Sequence, residues 1–299
     1  MIQTQDLNTI IQYFHDCLKE SQPLLEIKTP LIKYVPTNGF EGIIGKRRYW
    51  LTDYMYMFNQ EEIIYAKKLV KDVLMAQQLR QEKKEYFLKL LWKLLDEGIF
   101  TIYVSSFCKY KDDLHMWNEY ADKRRGLAII MRASYFQPLI VPNDYEYSIT
   151  TNVFYDERQI LKHLNEIFRL AKGIKNKLVL NNTRSRKNLI DTAVAAELLT
   201  LMPAIKSAPY QNEGEHRLYR VQLKYDGNIW PNGQKEFLVK EDKELKKRYI
   251  ESPQFDFEDV CEIQIGPNCL WTEQNVKKKL IDSGFDINKV KITRSSHLS

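Results

Sequence analysis

The run Arg217-Leu218-Tyr219-Arg220-Val221-Gln222-Leu223-Lys224 alternates as a β-strand does, with Leu218, Val221 and Leu223 as its apolar members. Its place in the chain decides the fold. It follows a stretch of helical periodicity, while β-type runs stand before that stretch at 31–34 (Leu-Ile-Lys-Tyr) and 48–52 (Arg-Tyr-Trp-Leu-Thr). Strands on both sides of the helices have to meet in space to complete a sheet. With no internal repeat and no flexible linker, the pattern predicts one α+β domain over 1–299, decorated by helices.

Upstream of that strand, the spacing predicts helices over about 156–181 and 188–206, a hairpin region over Ile140–Tyr155, and strands at 101–108 and 126–132. A short helix carrying Met116, Trp117 and Tyr120 lies between those strands. The stretch 61–98 reads as a pair of helices parted by the polar segment Gln77–Glu85, so 61–98 and 156–206 are the predicted helical insertions. Pro36, Gly39, Gly42 and Gly45 predict a turn-rich link between the first strands. Leu7, Ile10, Ile11, Phe14 and Leu18 predict an N-terminal helix within 1–25, stopped at Ser21-Gln22-Pro23. Downstream, strands are expected at Glu236–Val239, Val260–Ile265 and Val290–Thr293, with a helix over Thr272–Ser283.

Composition bounds the function classes. A chain of 299 residues that is 44% hydrophobic and 12% aromatic can bury a sizeable core, which excludes wholesale disorder. Eighteen Tyr against 11 Gly and 10 Pro exclude collagen-like and low-complexity classes and make tyrosine the unusual feature. Forty-five Lys+Arg against 39 Asp+Glu give +6 and a pI near 8.9, an excess that permits a phosphate-rich ligand without demanding one. Cys17, Cys108, Cys261 and Cys269 lie too far apart for a CxxC pair and lack the His spacing of a zinc site. The longest aliphatic run, Leu127–Met131, is five residues, against the roughly 18 that span a membrane, and Asp6, Asp16, Lys19 and Glu20 interrupt the start of the chain. The expectation is a reduced, cytoplasmic protein with no membrane partner.

Gly-rich phosphate loops and HExxH are absent, and Gly39, Gly42 and Gly45 fit neither the Rossmann fingerprint nor the P-loop. Other clusters carry the chemistry. Asn212-Glu213-Gly214-Glu215-His216-Arg217 precedes the deciding strand, and in an extended segment Glu213, Glu215 and Arg217 share a face because side chains alternate. Solvated, that face is an ordinary salt-bridged strand edge; in a cleft, the carboxylates raise one another's pKa or bind a cationic transition state. Tyr49-Trp50-Leu51-Thr52-Asp53-Tyr54-Met55-Tyr56-Met57-Phe58-Asn59 is either core or a stacking platform for nicotinamide, adenine or an exposed base. Asp112–Ala121, followed by Gly126, puts Trp117 and Tyr120 on one helix face, which suits a structural role.

Together these clusters resemble a widespread bacterial family catalogued as a domain of unknown function and often met near phage-defence genes. The matching elements are Lys33-Tyr34 (K-Y), Trp50-Leu51-Thr52 (W-x-[ST]), Phe58-Asn59 (F-N), Met116-Trp117-Asn118-Glu119-Tyr120-Ala121 with Gly126 (M-W-x-x-Y-A-x4-G) and Glu213-Gly214-Glu215-His216-Arg217 (E-x-E-x-R), over about 31–266. Gln60-Glu61 stands where the family carries D-P. The order is also similar to the layout of ADP-ribosyltransferase toxins. That resemblance implies a mixed, mostly antiparallel split β-sheet of ADP-ribosyltransferase-like type, with Lys33 binding the NAD ribose, Thr52 supporting it and Glu215 catalytic. It implies NAD as co-substrate, no metal, mono-ADP-ribosyl transfer by a toxin or phage-defence effector, and a neutralising antitoxin protein as partner.

The residues suit that chemistry. Breaking the bond from nicotinamide to ribose passes through an oxocarbenium-like state, which the Glu215 carboxylate would stabilise while Glu213 orients or deprotonates the acceptor. Tyr34, Tyr54 or Tyr56 would stack on nicotinamide, and Lys33 or Arg217 would meet the pyrophosphate. The expected acceptor is a nucleic acid, RNA or DNA, or a protein. Basic clusters at Lys46-Arg47-Arg48, Lys123-Arg124-Arg125, Arg184 with Arg186-Lys187, Lys246-Lys247-Arg248 and Lys277-Lys278-Lys279 would line a nucleic-acid track if they share a face, and otherwise are solvated helix faces. Two other classes compete. One is a noncatalytic nucleic-acid- or protein-binding module; the other is a metal-dependent nuclease in which Asp112, Asp113, Glu213 and Glu215 gather around Mg2+.

Overall fold

The computed structural model describes residues 27–57, 59–136, 148–177, 184–225, 228–230, 237–242 and 247–297. The predicted N-terminal helix, Phe58 and the first half of the predicted hairpin, 140–147, lie outside the described residues. The deciding run folds as the long strand β6 (Glu215–Tyr225), preceded in the chain by β1 (Leu31–Val35), β2 (Trp50–Asp53), β3 (Phe100–Cys108), β4 (Leu127–Met131) and β5 (Ser148–Asn152). After it come β7 (Asn228–Trp230), β8 (Lys240–Asp242), β9 (Lys247–Glu251), β10 (Val260–Ile265) and β11 (Lys291–Arg294). All belong to one sheet of order β11-β10-β4-β1-β3-β2-β9-β8, with β6 on β3 and with β5 and β7 on β6. β10 and β11 run parallel, and the other ladders between these strands are antiparallel. The protein is therefore α+β, as the strand pattern predicts, with a mostly antiparallel open sheet.

The sheet opens at its centre. β6 pairs along the whole length of β3, from Phe100↔Leu223 to Cys108↔Glu215. The other edge of β3 is shared: β2 meets it at Tyr103 and Val104, while β1 meets it only at Cys108 before pairing with β4. Between those contacts Lys33 of β1 reaches across, its Nζ donating to Ser105 Oγ at 3.0 Å and to the Ser106 carbonyl at 2.7 Å.

The helices are α1 (Thr37–Lys46), α2 (Gln60–Ala76), α3 (Gln81–Asp96), α4 (Leu114–Tyr120), α5 (Glu157–Lys177), α6 (Arg184–Leu201) and α7 (Glu273–Asp282). Alternation along β3 and β6 sends Phe100, Ile102, Val104, Tyr219, Val221 and Leu223 into a core with α2, α3, α5 and α6. Tyr103, Phe107 and Leu218 face the opposite core, closed by α1 and α7. Among the described residues no helix is long and apolar enough to cross a membrane.

Local readings fail at definite places. The glycine-rich link predicted as turns is the helix α1: Pro36 starts it, Phe40 and Ile44 bury completely four residues apart, and Arg47 ends it in the left-handed region at φ 53°. Burying that Phe and Ile, at about 1.5–3 kcal/mol each, offsets the cost of about 1 kcal/mol for each interior glycine. The polar break in the 61–98 insertion is also shorter than predicted, because α3 begins at Gln81 and carries the polar residues in its first turn. In α2 the buried stripe is Glu62, Ile63, Ala66, Leu69, Val70, Val73 and Leu74, while Ile64 is 65% exposed.

The Trp117–Gly126 segment is architecture. Asp122, Lys123 and Arg124 are consecutive left-handed residues, and the loop returns through Arg124 N–H to Trp117 O and Gly126 N–H to Ala121 O. A Cβ on Gly126 would meet the Val35 carbonyl at 2.1 Å, so only glycine lets β4 start this close to the end of β1.

Candidate functional site

Glu213 reaches the side of Glu215 through a turn and not by strand alternation. Ala208–Glu213 is a 3-10 turn that ends at Gly214, whose φ of +50° is left-handed and whose absent side chain leaves room for the Tyr110 ring. β6 then starts at Glu215, and its helix-facing parity carries Glu215 and Arg217 inward. The face is buried, so the solvated strand edge allowed by the sequence is not what forms.

Five charged side chains meet there, all 7% exposed or less: Glu62 from α2, Lys206 ahead of the 3-10 turn, Glu213, Glu215 and Arg217. Arg217 grips Glu215 with two bonds, Nε to Oε1 at 2.8 Å and NH2 to Oε2 at 3.0 Å, and its NH1 pairs with Glu62 and donates to the Pro203 carbonyl. Lys206 Nζ lies 2.5 Å from Glu213, 3.1 Å from Glu215 and 3.8 Å from Glu62. Tyr120 donates to Glu213 Oε1 at 3.1 Å, and the Glu215 backbone N–H donates to the Tyr155 hydroxyl at 3.1 Å. Burial alone would raise the Glu215 carboxyl, but Arg217 and Lys206 outweigh it and hold the group at about 2. Lys206 shows the same balance from the other side: burial lowers it, and Glu215 and Glu213 raise it above its ordinary value.

This cluster opens on a cavity of about 1040 Å³ whose walls include Lys33, Tyr34, Asn59, Met116, Glu119, Tyr120, Glu213, Glu215 and Arg217. Lys33 and Tyr34, Asn59, Met116 and Tyr120, and Glu213, Glu215 and Arg217, from four elements far apart in the chain, thus line one space. Burial lowers the Lys33 amine to about 8, with Glu215 opposing that shift and Lys247 adding to it. The Tyr34 hydroxyl is committed to the Tyr110 carbonyl and the Asp113 N–H, and its ring packs edge-on against Trp117.

The remaining predicted residues sit elsewhere. Thr52 is in mid-strand, paired with Val104 and Tyr249, and lines no part of this cavity. Tyr54 is fully buried, donating to the Met202 carbonyl, and Tyr56 stands at a different cavity beneath Arg248. The carboxylates weighed for a nuclease do not gather. Asp113 caps α4 through the Met116 N–H, and Asp112 holds Trp117 Nε1 and the Ser296 backbone and hydroxyl. No group of three or more metal-ligating side chains is found among the described residues. Several basic clusters are tied to local partners: Lys46 to Glu251, Arg125 to Asp122, Lys277 to Glu273, and Arg47 and Arg48 to backbone carbonyls. The side chains at 184–187 and 246 lie outside the described residues.

Glu62, Lys206, Tyr120 and Tyr155 are the members that sequence reasoning missed as site residues. Glu62 left a signal, an acid inside the apolar stripe of α2. Lys206 left none, because only the turn at 208–214 brings it back onto its carboxylates.

Residues 116–218 match the family described as Protein of unknown function (DUF2971). The DUF2971 match supports a domain family of unknown function over about a third of the chain. It begins at Met116 and ends just past Arg217, so it contains the M-W and E-x-E-x-R elements, while Lys33 and Thr52 lie outside it. No curated protein and no solved structure matches the chain.

Proposed function

We propose that this cavity is the catalytic site of an NAD-dependent mono-ADP-ribosyltransferase of the toxin or phage-defence kind. The observation that carries the reading is the buried charged cluster. Glu62, Glu213 and Glu215 are paired with Lys206 and Arg217, and Lys33 also bears on Glu215, so fixed carboxylates wall a cavity large enough for a dinucleotide. Carboxylates so placed complement the positive charge that develops at the ribose when nicotinamide leaves.

The residues divide the work by position. Glu215, locked by Arg217 and ionised, supplies a fixed field and takes no proton. Glu213, held by Tyr120 and Lys206, accepts the proton of the acceptor as that group bonds to the ribose C1 and nicotinamide departs with the electron pair of the broken bond. Lys33, at the opening of the sheet, meets the pyrophosphate. Tyr120 and Tyr210 line the cavity and offer rings to nicotinamide, in place of Tyr54 and Tyr56. The acceptor is a nucleic acid or a protein, and a neutralising protein would restrain an enzyme that modifies its own cell.

Incubation with NAD labelled in the adenine ring, with RNA, DNA and cell protein offered separately, tests the reading. Transfer of label by the wild type, lost in Glu215→Gln and Glu213→Gln variants that keep their melting temperature, is the expected result. Label transfer that survives both substitutions would remove the carboxylates from the reaction.

A further inference from the structure

A second cavity, of about 600 Å³, shares no lining residue with the first. It lies against β2, β3, β6 and the C-terminal end of α3. On its floor is Asp53, 5% exposed, whose Oδ1 accepts the Met55 N–H at 3.0 Å and whose Oδ2 stands 3.5 Å from the Arg248 guanidinium. Burial pushes the Asp53 carboxyl up, and the Met55 N–H and Arg248 oppose that shift. Tyr103 is buried beside it, edge-on to Phe237 with ring centroids 5.6 Å apart. Tyr56 is exposed at the mouth, its ring 5.2 Å from the Arg248 guanidinium carbon. The buried Nε of Arg248 makes no hydrogen bond.

These groups suit a flat heterocycle. A carboxylate has about four lone-pair sites, so Asp53 keeps acceptor capacity after its bond to Met55. Beside it stands the Arg248 guanidinium, bonded to the Tyr56 side chain; its Nε makes no hydrogen bond and stands 3.9 Å from Glu241, and aromatic rings flank both groups. A flat heterocycle that presents an N–H next to an acceptor atom satisfies the acid and the base together, while the rings take its faces.

We propose that this cavity binds a purine nucleobase. Asp53 accepts from the N–H edge of the base, Arg248 donates to the adjoining carbonyl or ring nitrogen, and Tyr56 stacks on the exposed face. Guanine offers two neighbouring N–H groups beside a carbonyl, and adenine offers an amino group beside a ring nitrogen. The proposal does not depend on the transferase reading, since none of these residues belongs to that machinery.

Guanosine and adenosine are the probes, titrated into the full chain by calorimetry and by saturation-transfer NMR. One or both bind, and Tyr56→Ala and Asp53→Asn each weaken binding about tenfold or more, in line with the about 1–3 kcal/mol that a stacked base or a paired base edge contributes. Asparagine retains the oxygen that caps Met55, and the Tyr56 ring is exposed, so Tyr56→Ala stays informative if Asp53→Asn fails to fold. Glu213→Gln leaves nucleoside binding unchanged. Preference for guanosine assigns the paired N–H edge, and preference for adenosine assigns the amino edge; either supports the site. No binding of either nucleoside at millimolar concentration overturns it. So does binding that Asp53→Asn and Tyr56→Ala leave untouched, or binding that Glu213→Gln abolishes.

Discussion

Glu215 and Glu197 are the same side chain, each buried to a few per cent exposure against the same helical core, and they end in opposite states. Glu215 is held at about 2 because Arg217 and Lys206 outweigh its burial, whereas burial pushes Glu197 on α6 up to about 8 with no charged group among the described residues to offset it. Burial alone therefore does not mark a site. What marks the first cavity is that an arginine and a lysine keep the buried Glu215 ionised, whereas a purely structural core leaves such an acid neutral.

That contrast predicts graded outcomes. Arg217→Met removes the guanidinium from Glu215 and Glu62 and leaves their charges buried. It should cost about 3–5 kcal/mol in urea unfolding at neutral pH, and a loss below about 1 kcal/mol would deny the cluster its interdependence. The next effect is a pH slope. The folded pKa of Glu215 is depressed below its unfolded value of about 4.3, so its contribution is present above that value and drains away as pH falls towards 2. Up to about 3 kcal/mol of stability should disappear over that window in the wild type, and Glu215→Gln should flatten the slope.

Glu197 should behave in reverse. Its folded pKa is raised, so its stability is fully present below about 4.3 and is lost as pH rises through about 8. Glu197→Gln should accordingly stabilise the protein by about 1–3 kcal/mol at pH 8 and by nothing measurable at pH 4. Thermal melts at both pH values read this directly. Smaller still is the effect of Lys33: if its charged amine meets the pyrophosphate, NAD affinity should fall about fivefold between pH 8 and pH 9 and become independent of pH in Lys33→Ala. At the bottom of the scale, Lys277→Ala breaks an exposed pair with Glu273 and should change stability by less than about 0.5 kcal/mol.

Much of the fold was legible from alternation. β1, β3, β4, β6 and β10 lie within one or two residues of their predicted positions because each buries a face, and a buried strand must write its period into the sequence. α1 was not legible, since Gly39, Gly42 and Gly45 mimic turns while Phe40 and Ile44 alone anchor the helix. Of the site, the E-x-E-x-R element was visible as a cluster, but its burial was not, because α2 and the turn after Lys206 supply the cover. Spacing placed Glu213 and Glu215 on one face for the wrong reason: left-handed Gly214, not strand alternation, brings Glu213 round. Aromatic density pointed to Tyr54 and Tyr56 because composition cannot tell a ring that walls one cavity from a ring that walls another.

Release of free nicotinamide from NAD, followed by chromatography, tests the central claim most directly. Wild-type protein should release nicotinamide in proportion to enzyme and time, and Glu213→Gln with an unchanged melting temperature should lower that rate by at least about a hundredfold, the scale of one positioned acid–base group. No release above the uncatalysed rate by the wild type with any acceptor, or equal release by Glu213→Gln, would contradict the account.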